Sequence, residues 1–367
     1  ADANLVFNQS LLMAALCALV TLIVGYALGG AYTRGLSADA ATAAAGTTYL
    51  YWFLPSMALQ FALVAMGSAL RGTGIAKPTM VVQMITVVLN AVLAPVLIAG
   101  WLTGKPMGVA GAGLASSIAV ALGVVLLWWY FQRLEKTVAF DAQLFRARLA
   151  VWKRILRIGL PPGGEFALMF VYLGVVYWVI RDFGAAAQAG FGVGMRVMQA
   201  IFLPAMAVAF ATAPVAGQNF GAGLHARVRE TFVSAAWMGS ALMLVLTLLC
   251  QWRPEWLIHG FTQDPAVVAV GADYLRIIAW NFVASGLIFT ASGMFQAVGN
   301  TLPALLSSAT RLVTFVVPAL WMSHRGGFAL RDLWHLSVAT VALQTVISLW
   351  LLRRELRRPR APSLATA

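Results

Sequence analysis

Ten apolar stretches follow one another along this chain of 367 residues, each long enough to cross about 30 Å of hydrocarbon as a helix. They run approximately 7–30, 49–70, 79–102, 108–131, 155–180, 187–214, 230–251, 271–295, 302–322 and 333–352. Inside a bilayer every backbone N–H and C=O needs a partner within the protein, so a span is a helix or a strand of a closed barrel. A membrane barrel needs alternation with a period of two, which these runs lack. The expected fold class is all-α, a polytopic membrane protein. Charged residues make up only 10% of the chain, against about 25% in soluble domains. The net charge of +13 would suit nucleic acid, but the cations fall in short connections between spans. Membrane lipid is therefore the expected partner, with no nucleic acid. Cys17 and Cys250 lie in apolar runs, and His225, His259, His324 and His335 do not cluster, so neither a metal nor another cofactor is expected.

Orientation follows from the cations. One set of alternate connections, with the tail, holds 16 Lys and Arg, and the opposite set holds 6. By the positive-inside rule both ends of this chain are expected in the cytoplasm. The basic stretch 133–154 is the one long linker, and its pattern (Arg146, Arg148, Trp152, Lys153, Arg154) suits either an amphipathic segment on the inner leaflet or a plain orientation signal. It separates an N-terminal lobe of four spans, 1–132, from a C-terminal lobe of six, 155–353, and a basic tail, 354–367, closes the chain.

The two lobes are related. A shift of 225 residues pairs Asp39 with Asp264, Gly46 with Gly271, Tyr49-Leu50 with Tyr274-Leu275, Gly74 with Gly299 and Pro78 with Pro303. These are boundary and turn residues, which set backbone shape, whereas chance would match Leu and Ala. A parallel repeat of this kind is a mark of transporters. The same shift sets residue 1 against residue 226, so 155 to about 225 has no counterpart. Two helices are expected to be missing from the start, which would make twelve spans in a full-length form.

Glu165 is the only carboxylate inside a span; the other eleven acids lie in or near connections or the termini. An intramembrane ionisable group is a functional-site hypothesis by default. Counted from the cytoplasmic ends of their spans, Glu165 and Arg311 fall at similar depth, and a Glu165–Arg311 ion pair is expected, either as the coupling element or as a static structural bridge. Arg196 lies in the sixth span, where it could line the cavity, with a structural pairing to Asp182 or to a backbone carbonyl as the favoured reading. Gln60, Gln83, Asn90, Gln199 and Asn281, with Gln296 and Gln344, could line a cavity or bridge helices. Tyr172 and Trp178 could stack on flat cations or anchor span ends.

Three stretches resemble one family. Ala213-Pro214-Val-Ala-Gly217-Gln218-Asn219-Phe-Gly221-Ala-Gly223 closes a helix, and Leu70-Arg71-Gly-Thr-Gly74-Ile-Ala-Lys-Pro78 joins two spans ahead of Asn90. Gly159-Leu-Pro161 opens the span of Glu165. Together they are similar to the eighth-span exit, the fourth-to-fifth connection and the seventh-span opening of multidrug and toxic compound extrusion (MATE) transporters. The resemblance implies two lobes around a central cavity in the bacterial inner membrane, a monomer, and antiport of cationic amphipathic small molecules against inward Na⁺ or H⁺. In sodium-coupled members the seventh-span glutamate lies one turn later, where Met169 stands, and a tenth-span aspartate has no counterpart between Tyr274 and Val298. Proton-coupled bacterial members carry a first-span aspartate that this chain lacks. The coupling ion stays open.

A flippase for lipid-linked sugars shares the two-lobe plan but calls for a more cationic cavity than Arg196 and Arg311 supply. An intramembrane enzyme needs a clustered His, Asp or Ser–Lys constellation, and the sequence holds none. No Gly-x-x-x-x-Gly-Lys-Ser/Thr loop is present, so ATP hydrolysis within this chain is excluded. The orientation is directly testable once Cys17 and Cys250 are replaced by serine. Cysteines introduced at Thr73 and Val298 are then expected to react with an impermeant maleimide from the cytoplasmic side only, and labelling of either from outside overturns the assignment.

Overall fold

The computed structural model describes residues 2–36, 39–101, 104–133, 138–325 and 327–357. They form helices α1 (Asp2–Leu36), α2 (Ala40–Gly72), α3 (Lys77–Ala99), α4 (Val109–Arg133), α5 (Leu149–Ile180) and α6 (Ala185–Gly221). The chain continues through α7 (His225–Trp252), α8 (Pro254–His259), α9 (Pro265–Ile278), α10 (Asn281–Ala297), α11 (Leu302–Ser323) and α12 (Leu330–Arg357). Among the described residues there is no strand. Nine of these helices are long and apolar enough to cross a membrane, and α9 with α10 would make a tenth if the bent pair is one span. Large apolar side chains such as Ile23, Val87, Val245 and Val346 stand more than half exposed on helix flanks, as a surface facing hydrocarbon requires.

Two compact units emerge, Ala1–Ile155 and Leu156–Ala367. In the first, α2 packs against α1 and α4, and α3 against α4. Its core holds Phe7, Leu63, Leu70, Leu127 and Phe131, with the rings of Phe7 and Phe131 stacked at 4.9 Å. In the second, α6 and α10 pack on each other and on α7. There Trp334 stacks on Phe191 at 5.5 Å and meets Tyr274 edge-on at 4.8 Å.

The repeat recurs in the element bounds. Shifted by 225 residues, α2 becomes 265–297, which are the outer bounds of α9 and α10 together, and the start of α3 falls on the start of α11. Asp39 and Asp264 both cap a helix: Asp39 accepts the Thr42 N–H at 2.7 Å, and Asp264 the Ala266 N–H at 2.9 Å. The Thr42 N–H and hydroxyl hold the Asp39 carboxyl below its ordinary range. Gly74 (φ 88°) and Gly299 (φ 72°) make the left-handed turn that lets the chain re-enter at Pro78 and Pro303, both in the first turn of their helices.

Two expected spans differ from the sequence reading. The eighth, 271–295, is not one straight helix; it breaks at Ala279–Trp280 with a bend of 58°. The fifth does not open at Pro161, because α5 begins at Leu149 and carries Pro161 and Pro162 inside it. Both are possible for the same reason: carbonyls released from the helical ladder find side-chain donors on a neighbouring helix. Pro162 has no N–H for the carbonyl of Ile158, and Thr301 Oγ1 donates to it at 2.8 Å. At the break, the Trp280 N–H turns to Ile277; the Arg276 carbonyl accepts Gln251 Nε2 at 2.6 Å and that of Ala279 accepts Thr247 Oγ1 at 3.0 Å. In the first unit Pro55 frees the carbonyl of Tyr51, which accepts the Tyr26 hydroxyl at 3.0 Å. Tyr26 and Gln251, and likewise Tyr51 and Arg276, are 225 residues apart, so both repeats relieve the span at the same place by the same device.

The basic linker is not a free segment along its described length. Residues 134–137 lie outside the described residues; from 138 onward the chain docks on α1. Asn8 donates to the carbonyl of Ala139 at 2.9 Å and accepts the N–H of Asp141 at 3.1 Å. Gln9 Nε2 donates to the carbonyls of Leu144 (2.6 Å) and Arg146 (2.8 Å), and its Oε1 accepts from the Arg148 N–H (2.9 Å) and Trp152 Nε1 (2.8 Å). Both side chains are fully buried. Gln9→Leu strands two donors and two acceptors, each worth roughly 1–3 kcal/mol when left unmet. We expect the unfolding temperature to drop and amide exchange at Arg148 to accelerate; unchanged exchange there would show that Gln9 does not pin this segment.

Candidate functional site

The second unit encloses a cavity of about 180 Å³ among α5, α6, α10, α11 and α12. Its ionisable lining residues are Glu165 and Tyr172 from α5 and Arg311 from α11. Ser292 and Gln296 from α10, Ser308 from α11 and Gln344 from α12 complete the polar set. The remaining wall is apolar, with Phe166, Met169, Met206, Phe210 and Phe289. On the cavity wall α10 and α6 cross closely at Gly293, where a Cβ would stand 2.7 Å from the carbonyl oxygen of Ala209.

Glu165 is half-buried and accepts a hydrogen bond from Ser292 Oγ at 3.2 Å, with the Ser308 hydroxyl beside it. Ser308 in turn accepts from Gln344 Nε2 at 3.2 Å. The carboxylate thus joins α5 to α10 and α11, and through Gln344 to α12. The guanidinium of Arg311 lies over the ring of Tyr172, 4.8 Å from its centroid, while the Tyr172 hydroxyl meets Ser337 Oγ at 3.0 Å. Arg311 Nε and Gln344 Oε1 are buried and have no hydrogen-bond partner among the described residues.

The expected Glu165–Arg311 ion pair does not form. Among the described residues the ion pairs are Arg154–Asp2, Arg181–Asp182, Arg276–Glu255 and Arg331–Asp273. Helix register is the reason. Thr301 is level with Ile158, and Leu305 reaches the Cβ position of Gly164. From the Thr301–Ile158 anchor Glu165 is seven residues on and Arg311 ten, an offset of about 4.5 Å at 1.5 Å per residue. Ser308 therefore faces Glu165, and Arg311 goes to Tyr172, two turns further along α5. Counting each span from its apolar start concealed this, because α5 begins at Leu149 and runs through Pro161.

The other sequence candidates scatter. Arg196 is exposed, and Asp182 pairs with Arg181 (3.3 Å) instead, the adjacent residue reaching it first. Trp178 is exposed and stacks under Arg181 at 5.1 Å. Gln199 is exposed and Asn281 buried in the first turn of α10, and neither lines this cavity. Gln60, Gln83 and Asn90 belong to the first unit, where Asn90 bridges α3 to α4 through Ser116 Oγ at 2.9 Å. Ser292 and Ser308 escaped the sequence reading, as small hydroxyls with other Ser and Thr nearby in their spans; their signal was similar depth with Glu165. The motif residues are structural. Arg71 donates to Ser68 Oγ at 2.8 Å. Pro214 lies inside α6, Gly217 passes close to the Ala297 backbone, and the Gln218 carbonyl accepts the Ala222 N–H. Asn219 Nδ2 donates to the Val215 carbonyl at 2.9 Å, Gly221 ends the helix and Gly223 (φ 74°) turns the chain.

A doubled helical unit of membrane-crossing helices, with an ionisable cavity inside one copy, defines a polytopic membrane protein of repeat architecture. The MatE family model matches residues 1–96 and 161–321, and the chain belongs to that family. It is 27% identical over 288 residues to the probable multidrug resistance protein YpnP of Bacillus subtilis, a match that takes in 76% of this chain and 62% of the relative. It is 29% identical over 321 residues to the probable multidrug resistance protein NorM of Deinococcus radiodurans, covering 85% of this chain and 69% of that one. The fold is shared with a MOP superfamily transporter from Pyrococcus furiosus, with a TM-score of 0.88 at 21% identity over 96% of this chain and 78% of the other. The chain thus spans about 62% of the length of YpnP.

Gly293 offers a test of how closely α6 and α10 cross. Gly293→Ala places a methyl against backbone, which cannot yield as a side chain would, so α10 must move away from α6. We expect a loss of about 1–3 kcal/mol, read as a lower unfolding temperature; a neutral substitution would mean that the crossing is looser than drawn.

Proposed function

We propose that this chain works in a secondary active transporter that exports amphipathic organic cations by alternating access, with Glu165 as the group that couples export to inward H⁺ or Na⁺. The observation that carries this reading is an intramembrane carboxylate on a cavity wall, hydrogen-bonded by Ser292, flanked by Ser308 and in no ion pair among the described residues. The multidrug names of the relatives support the substrate class.

Such a carboxylate serves two competing ligands. A proton makes one carboxyl oxygen a donor while the other still accepts, so a hydroxyl facing the protonated oxygen must turn from donor to acceptor. A sodium ion would find the carboxylate and two hydroxyl oxygens as hard oxygen ligands. A cationic substrate needs the same ionised oxygen, so binding of ion and substrate is mutually exclusive, which is the requirement for exchange. Because Glu165 ties α5 to α10 and α11, each occupant biases how these helices pack, and a ligand shifts the conformational equilibrium only by such a difference. A flippase for pyrophosphate-linked sugars would need several cations around the cavity, whereas Arg311 is the one cation lining it among the described residues.

In proteoliposomes, dye efflux driven separately by a H⁺ or a Na⁺ gradient identifies the ion. Glu165→Gln keeps the shape and one accepting oxygen, removes the charge, and is expected to abolish gradient-driven efflux. With no ion pair to break, its unfolding temperature should stay near that of the parent. Efflux retained in Glu165→Gln would remove this residue as the coupling site.

A further inference from the structure

Arg311 is the unexplained group of the cavity. A guanidinium within a span is costly without a counter-charge. Here Glu165 is engaged by Ser292 and Ser308, and makes no ion pair with it. Tyr172 offers Arg311 only its ring face, since the phenol oxygen is turned to Ser337. The buried Nε has no acceptor at all among the described residues. A cation over a ring is partly stabilised, but the planar donor fork is left for an oxyanion, the partner it matches bidentately.

We propose that Arg311 is an oxyanion subsite, and that the preferred substrate is a zwitterionic amphiphile whose carboxylate-bearing ring enters this cavity. The proposal rests on the reading that Glu165 meets the cationic part of the substrate. Spacing supports a bipolar ligand. Arg311 is offset from Glu165 by about one helical turn, and it lies over the ring of Tyr172, seven residues beyond Glu165 on α5. Phe166, Met169, Phe210 and Phe289 line the apolar wall. Size supports a head group rather than a whole molecule, because the cavity of about 180 Å³ is below the roughly 300–1,000 Å³ that encloses drug-sized ligands. A purely cationic substrate would leave Arg311 unmatched and repelled, so the arrangement also discriminates by charge.

A rhodamine with a free benzoate and its methyl ester form a matched pair that differs in that one charge. Their binding to the 367-residue chain in nanodiscs, read by fluorescence anisotropy without any ion gradient, tests Arg311 independently of transport. The parent chain is expected to bind the acid more tightly than the ester. Arg311→Gln should weaken the acid about tenfold and leave the ester within about twofold, while Arg311→Lys, which keeps the charge and loses the fork, should fall between. If a thermal scan shows Arg311→Gln to be unfolded, the lysine variant is read in its place, and a loss confined to the acid supports the subsite. The proposal is overturned if the parent chain binds the acid no better than the ester, or if the folded variant loses both alike. Glu165→Gln separates the two readings. Unaltered ester binding in that variant would sink the role of Glu165 and leave the Arg311 result standing.

Discussion

The structure depends on one constraint: a backbone carbonyl released inside a membrane-crossing helix must be met by another part of the protein. Where Pro55, Pro162 and the Ala279–Trp280 break release carbonyls of Tyr51, Ile158, Arg276 and Ala279, the donors are Tyr26, Thr301, Gln251 and Thr247. Each comes from a different helix from its acceptor. The hydrogen bonds that permit a bent span are therefore also the bonds that set the register between spans. The cavity inherits its geometry from one of them, since Thr301 at Ile158 decides that Ser308, and not Arg311, stands opposite Glu165.

That register separates two opposite charges which a shift of one turn would join. Joined, they would offset each other and leave a static bridge. Apart, the carboxylate relies on hydroxyls that can turn and the guanidinium on an aromatic face, so both retain capacity for a ligand. The same wall of α5 carries both groups' contacts, and a bound molecule reaching from one to the other would be read at two points.

The repeat explains why the relief of the spans occurs twice at the same place. Tyr26 and Gln251 share no chemistry beyond a donor at the end of a long side chain, and Pro55 and Trp280 share no conformational preference. What the two copies hold in common is the requirement that the carbonyl at position 51 or 276 be satisfied from the preceding long helix of its unit, α1 or α7. Divergent residues meeting one backbone need are hard to see in an alignment of apolar stretches.

Membrane class, the all-helical fold and the doubled unit were legible in the residues themselves. Apolar run length is a one-dimensional property, and Asp39, Gly74 and Pro78 act on their own backbone, so their copies at Asp264, Gly299 and Pro303 announce the same turns. Glu165 was legible for the same reason, because a lone carboxylate in a span needs no partner to be conspicuous. Its neighbours were not. Ser292 and Ser308 lie more than a hundred residues away, and their approach depends on helix rotation and axial offset, which hydropathy does not encode. The start of α5 at Leu149, the bend between α9 and α10 and the burial of Asn8 and Gln9 under the linker have a common cause. Each depends on which distant donor reaches which carbonyl or amide, and packing in three dimensions alone decides that.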